Sequence, residues 1–230
     1  MSLAGKVVLI TGATGTVSRG LTRAFLDAGA RPALGVLRSA HILELEREFA
    51  GGEQAPMVVP CNLRYEEDVV RLVHRVVHRL GRIDVAINMA TTTGPHLRLM
   101  DYPAGPWRDV IETNLTGTFL VCREVLPWMI RQGSGSIINA TSGPIASAKP
   151  ESVAHLVSSR GVGDLTRLLA TELKGTGVRA NMVDTESLRM GSSSDTGQGD
   201  WTEAFVWLAG DASAEVCGER IRAVGFSRTD

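Results

Sequence analysis

A glycine-rich run, Thr11-Gly12-Ala13-Thr14-Gly15-Thr16-Val17-Ser18, is the first segment of the chain whose residue types suggest chemistry. A short apolar run, Val7-Val8-Leu9-Ile10, precedes it, and apolar residues at helical spacing, Leu21, Ala24, Phe25 and Ala28, follow it. A glycine turn between a strand and a helix lets main-chain N–H groups approach a pyrophosphate at the helix N-terminus. Gly12 and Gly15 suit the tight turn and the close approach, with Thr14, Thr16 and Val17 around them. The third glycine usual in such loops is replaced by Ser18, a small residue. The chemistry expected is dinucleotide binding; the alternative is an ordinary strand-to-helix turn.

Such a loop works only on a scaffold, and the rest of the chain has the periodicity of one. Buried strands are expected at 7–10, 33–37, 57–59, 85–87, 136–138, 178–183 and 220–224. Helical periods lie between them, most clearly at 66–80, 107–131, 152–174 and 201–209. Strict β/α alternation implies a parallel sheet covered on both faces, a three-layer α/β/α fold of Rossmann type. Ligands of such sheets bind at the carboxyl ends of the strands, so the informative residues should follow the strands. The stretch 91–106 is a loop rich in Thr, Gly and Pro, and 191–200 a flexible loop of Gly, Ser, Asp and Thr. No repeat or linker divides the chain, and 1–230 is expected to be one domain.

Composition narrows the function classes. Apolar residues make up 43% of the 230, enough for a large core, and the net charge of −1 steers the chain toward neither nucleic acid nor an anionic membrane. The most basic stretch, 64–82, is interleaved with Val and Leu as in an amphipathic helix. Cys61, Cys122 and Cys217 are too scattered for a disulfide framework or a metal site, which fits a reduced, cytoplasmic setting. No apolar run approaches the roughly 18 residues of a membrane span, and Met1-Ser2-Leu3-Ala4-Gly5-Lys6 runs straight into a strand without the features of a signal peptide.

Several motifs in order resemble the short-chain dehydrogenase/reductase family. They are Leu3-Ala4-Gly5-Lys6-Val7-Val8-Leu9-Ile10-Thr11-Gly12, Gly81-Arg82-Ile83-Asp84-Val85, Asn88-Met89-Ala90-Thr91, Asn114-Leu115-Thr116-Gly117-Thr118-Phe119 and Gly135-Ser136-Ile137-Ile138-Asn139-Ala140-Thr141-Ser142. The resemblance covers nearly the whole chain and implies a doubly wound, parallel, seven-stranded sheet, NADP or NAD as cofactor, and commonly a homodimer or homotetramer. It implies catalytic positions at Asn114 and Ser142. It implies cofactor contacts from the glycine loop, from Asn62 after the third strand, at a place the family often gives to an adenine-contacting Asp, from Asn88 and Ala90 around the fourth, in a motif that in the family stabilises the central sheet, and from Thr185 after the sixth; Arg38 after the second strand is a further candidate contact.

The chain departs from that pattern where hydride-transfer chemistry is concentrated. The family's Tyr-x-x-x-Lys falls on His155-Leu156-Val157-Ser158-Ser159. In the family the phenol donates a proton to a carbonyl while the lysine lowers the phenol's pKa and holds the ribose. Ser159 is neutral and short and can do neither as Lys does. The imidazole of His155 titrates near neutrality and can donate a proton, but it reaches about 2 Å less far than a phenol, out of hydrogen-bond range unless substrate or water moves in. Arg160 is turned by about 100° from that face. Arg38 fits a 2′-phosphate or is a solvated loop residue. Thr185-Glu186 replaces Pro-Gly, and Asp184 and Glu186 are expected to place negative charge near the nicotinamide position. The substrate lid, about 187–200, is short.

Three readings follow. The first is a non-catalytic or partner subunit, homo-oligomeric or paired with an active relative through the helices around 116–129 and 166–173. The second is a non-redox enzyme for dehydration, isomerisation or cyclisation, with His155 and Ser142 facing each other. The third is an NAD(P)-dependent carbonyl or alcohol oxidoreductase with atypical catalytic residues. A hydrolase triad finds no nucleophile elbow around Ser142. No residue identifies a substrate, and a small-molecule ligand is the partner class that suits the cleft.

Overall fold

The structure is a computed structural model, and it describes residues 2–50, 55–141, 153–185 and 201–226. Its described residues form a seven-stranded, wholly parallel sheet in the order β3-β2-β1-β4-β5-β6-β7. The strands are β1 (Val7–Thr11), β2 (Arg31–Val36), β3 (Met57–Pro60), β4 (Val85–Asn88), β5 (Gly135–Thr141), β6 (Val178–Asp184) and β7 (Arg220–Arg222). The helices are α1 (Thr16–Asp27), α2 (Ala40–Glu48), α3 (Glu66–Leu80), α4 (Ala104–Ile111), α5 (Gly117–Gln132), α6 (Val153–Glu172) and α7 (Glu203–Ala209).

Strand alternation feeds two cores, one on each face of the sheet. From β1, Val7 and Leu9 join Val69, Leu72, Val73 and Val76 of α3 and Val121 and Val125 of α5. Val8 and Ile10 point the other way, to Leu21 and Phe25 of α1 and Phe205 and Leu208 of α7. Burial on both faces explains why β1 reads as an unbroken apolar run. Helix α3 begins with Glu66, Glu67 and Asp68 and has Arg79 in its last turn, charges that complement its dipole.

The sheet order reverses between β1 and β4, so a crevice opens at their carboxyl ends. The segment expected as one helix over 107–131 starts earlier, at Ala104, and is interrupted by a single π turn, Glu112–Thr116. Tertiary contacts hold that turn. Asn114 is clamped to the main chain of Thr92, accepting from its N–H at 2.8 Å and donating to its carbonyl at 2.9 Å. Thr118 Oγ1 donates to the Asn114 carbonyl at 2.7 Å. The widened turn thereby swings Asn114 into the crevice, in keeping with the tendency of π-bulges to sit at functional positions.

Candidate active site

The cleft at the carboxyl ends of β1, β4 and β5 has a volume of about 690 Å³. One wall is the glycine loop: Gly12, Thr14, Gly15, Thr16 and Val17 all line it. Gly12 has φ +69°, and a Cβ there would stand 2.5 Å from the Ala90 Cα, so only a glycine lets β1 pass this close to the end of β4. Gly15 precedes α1 in extended conformation and offers no side-chain cap, leaving the first-turn N–H groups of the helix for a ligand.

Ser18, the stand-in for the third glycine, is 2% exposed. Its hydroxyl lies 3.1 Å from the Gly12 carbonyl and 2.9 Å from the Gly15 carbonyl, a shared donor that draws both carbonyls inward. Arg19 adds a third tie, with Nε donating to the Thr14 carbonyl at 3.1 Å while the guanidinium pairs with Glu44 and Glu48 of α2. In a trans peptide the N–H points opposite to the C=O; the Ala13 N–H, which shares a peptide with the Gly12 carbonyl, goes to the Gly35 carbonyl at 3.3 Å, and the Gly15 carbonyl also accepts from the Arg19 N–H at 3.0 Å.

The opposite wall carries the expected acid–base positions. His155 and Ser159 both line the cleft, one helical turn apart on α6. Between them Ser158 is fully buried, a residue that the motif comparison did not single out. Its hydroxyl donates to the His155 carbonyl at 2.8 Å and accepts from Asn114 Nδ2 at 2.9 Å. Asn114 also lines the cleft but is 6% exposed, with its side-chain amide engaged by Thr92 and Ser158. It is a brace between the 91–94 loop and α6. Ser142 and the lid at 187–200 lie outside the described residues, as does Glu186.

Asn62, Ala90 and Thr185 complete the lining. Asn62 Oδ1 accepts from the Arg64 N–H at 3.2 Å. Thr185 sits against the Thr141 carbonyl, with its N–H at 3.0 Å. Three other expectations differ. Asn88 is among the expected cofactor contacts, but its side chain turns into the sheet, 4% exposed, and Nδ2 donates to Asn139 Oδ1 at 2.8 Å; it binds strand to strand and does not line the cleft. Asn139 in turn donates to Thr166 Oγ1 at 2.9 Å, so the Asn pair also anchors α6. Arg38 is exposed and off the cleft; the preceding Leu37 lines it instead. Asp184 is ion-paired with Arg220 at 2.9 Å, and its charge does not stand unmatched at the nicotinamide position.

The cleft's fixed charges are largely spent on each other. Arg64 pairs with Asp109 at 2.8 Å and Glu112 at 2.9 Å, and the hydrogen bond it donates to Glu112 holds its guanidinium above the usual range. The Cys61 thiol is pushed up to about 12, chiefly by burial and then by the charge of Asp68, so it is a neutral wall residue at pH 7. Among the described residues no Tyr or Lys lines the cleft, and no group of three His, Cys, Asp or Glu side chains could hold a metal ion. No helix among the described residues is long and apolar enough to cross a membrane.

Comparison with known proteins agrees with this architecture. Residues 6–196 match the family profile described as short chain dehydrogenase. The 3-oxoacyl-(acyl-carrier-protein) reductase FabG of Thermotoga maritima is 35% identical over 185 residues, which cover 80% of this chain and 74% of that protein. The L-fucose dehydrogenase of Oryctolagus cuniculus is 33% identical over 180 residues, 78% of this chain, but the match spans only 62% of that protein's length. A solved short-chain type dehydrogenase/reductase from Mycobacterium ulcerans shares the fold, with a TM-score of 0.86, 23% identity and coverage of 98% of this chain and 90% of that one. By profile, by sequence identity and by fold, the chain belongs to the short-chain dehydrogenase/reductase family.

Proposed function

We propose that this protein holds a nicotinamide dinucleotide, NADP or NAD, in the cleft and acts as a non-catalytic or partner subunit, not as an ordinary hydride-transferring reductase. The observation that carries this reading is the pairing of an organised glycine loop with His155 and Ser159 on the facing helix, without a Tyr or Lys among the described lining residues. Tyr65 and Tyr102 lie off the cleft, and Lys6 and Lys174 belong to a different cavity. Lys149 is outside the described residues.

The loop fits the cofactor. Its close approach at Gly12 and the uncapped start of α1 suit a pyrophosphate. Bound there, the nicotinamide would supply hydride. The chain's own residues supply little to match it. The imidazole of His155 can hold a proton at the cleft wall, but Ser159 brings no charge to tune it, and the cation Arg64 is engaged by two carboxylates. The interface for a partner would be built by α5 and α6, where Phe119, Ile130, Val157 and Leu168 are exposed. A homodimer, a homotetramer and a hetero-oligomer with an active relative all use such helices.

One observation favours a second reading, non-redox acid–base catalysis. His155 faces the cleft above a fixed chain, Asn114 to Ser158, that would hold its helix turn rigid during proton transfer.

Calorimetric titration with the four nicotinamide cofactors is the direct test, paired with a carbonyl-reduction assay. Saturable binding with no turnover is expected, and the double reversion His155→Tyr with Ser159→Lys should gain reductase activity. Absence of any cofactor binding would sink the reading, as would wild-type turnover that the reversion leaves unchanged. Any native non-redox activity lost in His155→Ala would favour the second reading.

A further inference from the structure

We propose that the amino-terminal end of the sheet, opposite the glycine loop, carries a second ligand site that takes a small phosphate- or carboxylate-type anion between Arg179 and Lys174. A cavity of about 660 Å³ opens there, between the end of α6, the start of β6 and the segment after α7. Arg179 lies on β6 and forms part of its wall. Its guanidinium spends one hydrogen bond on the Gly210 carbonyl, at 2.9 Å from Nη2. The other terminal nitrogen, Nη1, is out of solvent contact and has no acceptor. Burial pulls this guanidinium below its usual range, so the fold carries the cost of a desolvated cation. Buried donors are normally satisfied, and a buried charge is normally paired.

The Asp211 carboxylate attracts Arg179 from a distance, but its hydrogen bond goes to Lys6 and it does not reach the guanidinium. Lys6 is joined to Asp211 at 2.6 Å, Asp84 to Arg82 at 2.6 Å and Arg167 to Asp164 at 3.1 Å. Among the described residues neither Arg179 nor Lys174 has a carboxylate within 4.0 Å. Both face the same cavity. Among the described residues Glu215, on an exposed stretch of the same wall, makes no ion pair within 4.0 Å. A guanidinium and an ammonium on the wall of one cavity suit an oxyanion, with Nη1 as the guanidinium's unspent donor.

The test uses inorganic phosphate on the full chain, followed by thermal shift and by broadening of the phosphorus resonance. The glycine loop also attracts phosphate, so the titration is run in a Gly15→Asp background. That substitution fits the extended backbone at Gly15 and places a carboxylate at the loop. Saturable binding should persist there, weaken at least about tenfold in Gly15→Asp/Lys174→Gln, and vanish in Gly15→Asp/Arg179→Gln. Malonate in place of phosphate distinguishes a carboxylate ligand from a phosphate ligand. Lys174 lies outside the packed core, so its variant remains informative if Arg179→Gln fails to fold. The proposal is overturned if Gly15→Asp alone abolishes the response, if neither anion binds saturably, or if Lys174→Gln binds as well as its parent.

Discussion

Replacing Gly12 with Ala separates the stability of the nucleotide loop from its function. The added methyl meets two obstacles. The residue holds φ +69°, a conformation that costs an L-residue roughly 1–2 kcal/mol. Its Cβ would also stand 2.5 Å from Ala90 Cα and 2.7 Å from Ala90 N. Both are main-chain atoms and cannot rotate away, so β1 and β4 must part at their carboxyl ends, at an overpacking cost of roughly 1–3 kcal/mol. Urea unfolding should therefore show a loss of about 2–5 kcal/mol, the sum of the two ranges. Movement of the loop also withdraws at least one N–H from a bound phosphate, which should raise the dissociation constant of the preferred dinucleotide about 10- to 100-fold by calorimetry. Gly15→Ala is the control. Its φ is −76°, and the nearest contact of a new Cβ is Ser18 Oγ at 3.8 Å, so its stability should stay within about 0.5 kcal/mol of wild type. A Gly12→Ala protein as stable as the parent would refute the close packing. A destabilised protein that binds dinucleotide as tightly as before would refute the role of the loop.

Other outcomes follow from single contacts. Ser158→Ala strands an Nδ2 hydrogen of Asn114 in the interior and should cost about 1–3 kcal/mol, lowering Tm by about 2–4 °C for each kcal/mol; an unchanged Tm would mean that the brace is not formed. The Asp211 carboxyl is held below its usual range by its hydrogen bond with Lys6, so the pair stabilises above the unfolded-state pKa of about 4 and its contribution fades as pH falls through the depressed folded value. Asp211→Asn should thus be slightly less stable at pH 7, by less than about 1 kcal/mol because the pair is exposed, and should converge with wild type in acid, once pH has fallen below the depressed folded value. Iodoacetamide at pH 8 should label native Cys217 and spare Cys61 and Cys122, which are buried and whose thiols are pushed up to about 12; mass spectrometry showing a native adduct at Cys122 would contradict its burial.

Much of the scaffold was legible because period-2 and period-3.6 patterns map onto burial. The helix expected at 66–80 is α3, residue for residue, since charges at both ends mark its limits. The π turn was not legible: Glu112–Thr116 has ordinary helical composition, and what widens it is the clamp between Asn114 and Thr92, 22 residues apart in sequence. The glycine loop was legible because close approach demands a particular residue type. Asn88 was legible in part: its motif resembles one that stabilises the central sheet, but the residue was also expected at the cofactor, and here its side chain meets Asn139. Ser158 escaped altogether. Small, polar and mid-helix, it is an unremarkable letter in a sequence, and only the approach of the π turn to α6 makes its hydroxyl the joint between them.

The hydroxyl of Ser18 has a kinetic consequence. By stitching two loop carbonyls before any ligand arrives, it prepays the ordering entropy that a looser loop would surrender on binding. Dinucleotide capture should then proceed in one step, at a rate linear in concentration without a plateau, because there is no slow rearrangement for the ligand to wait on.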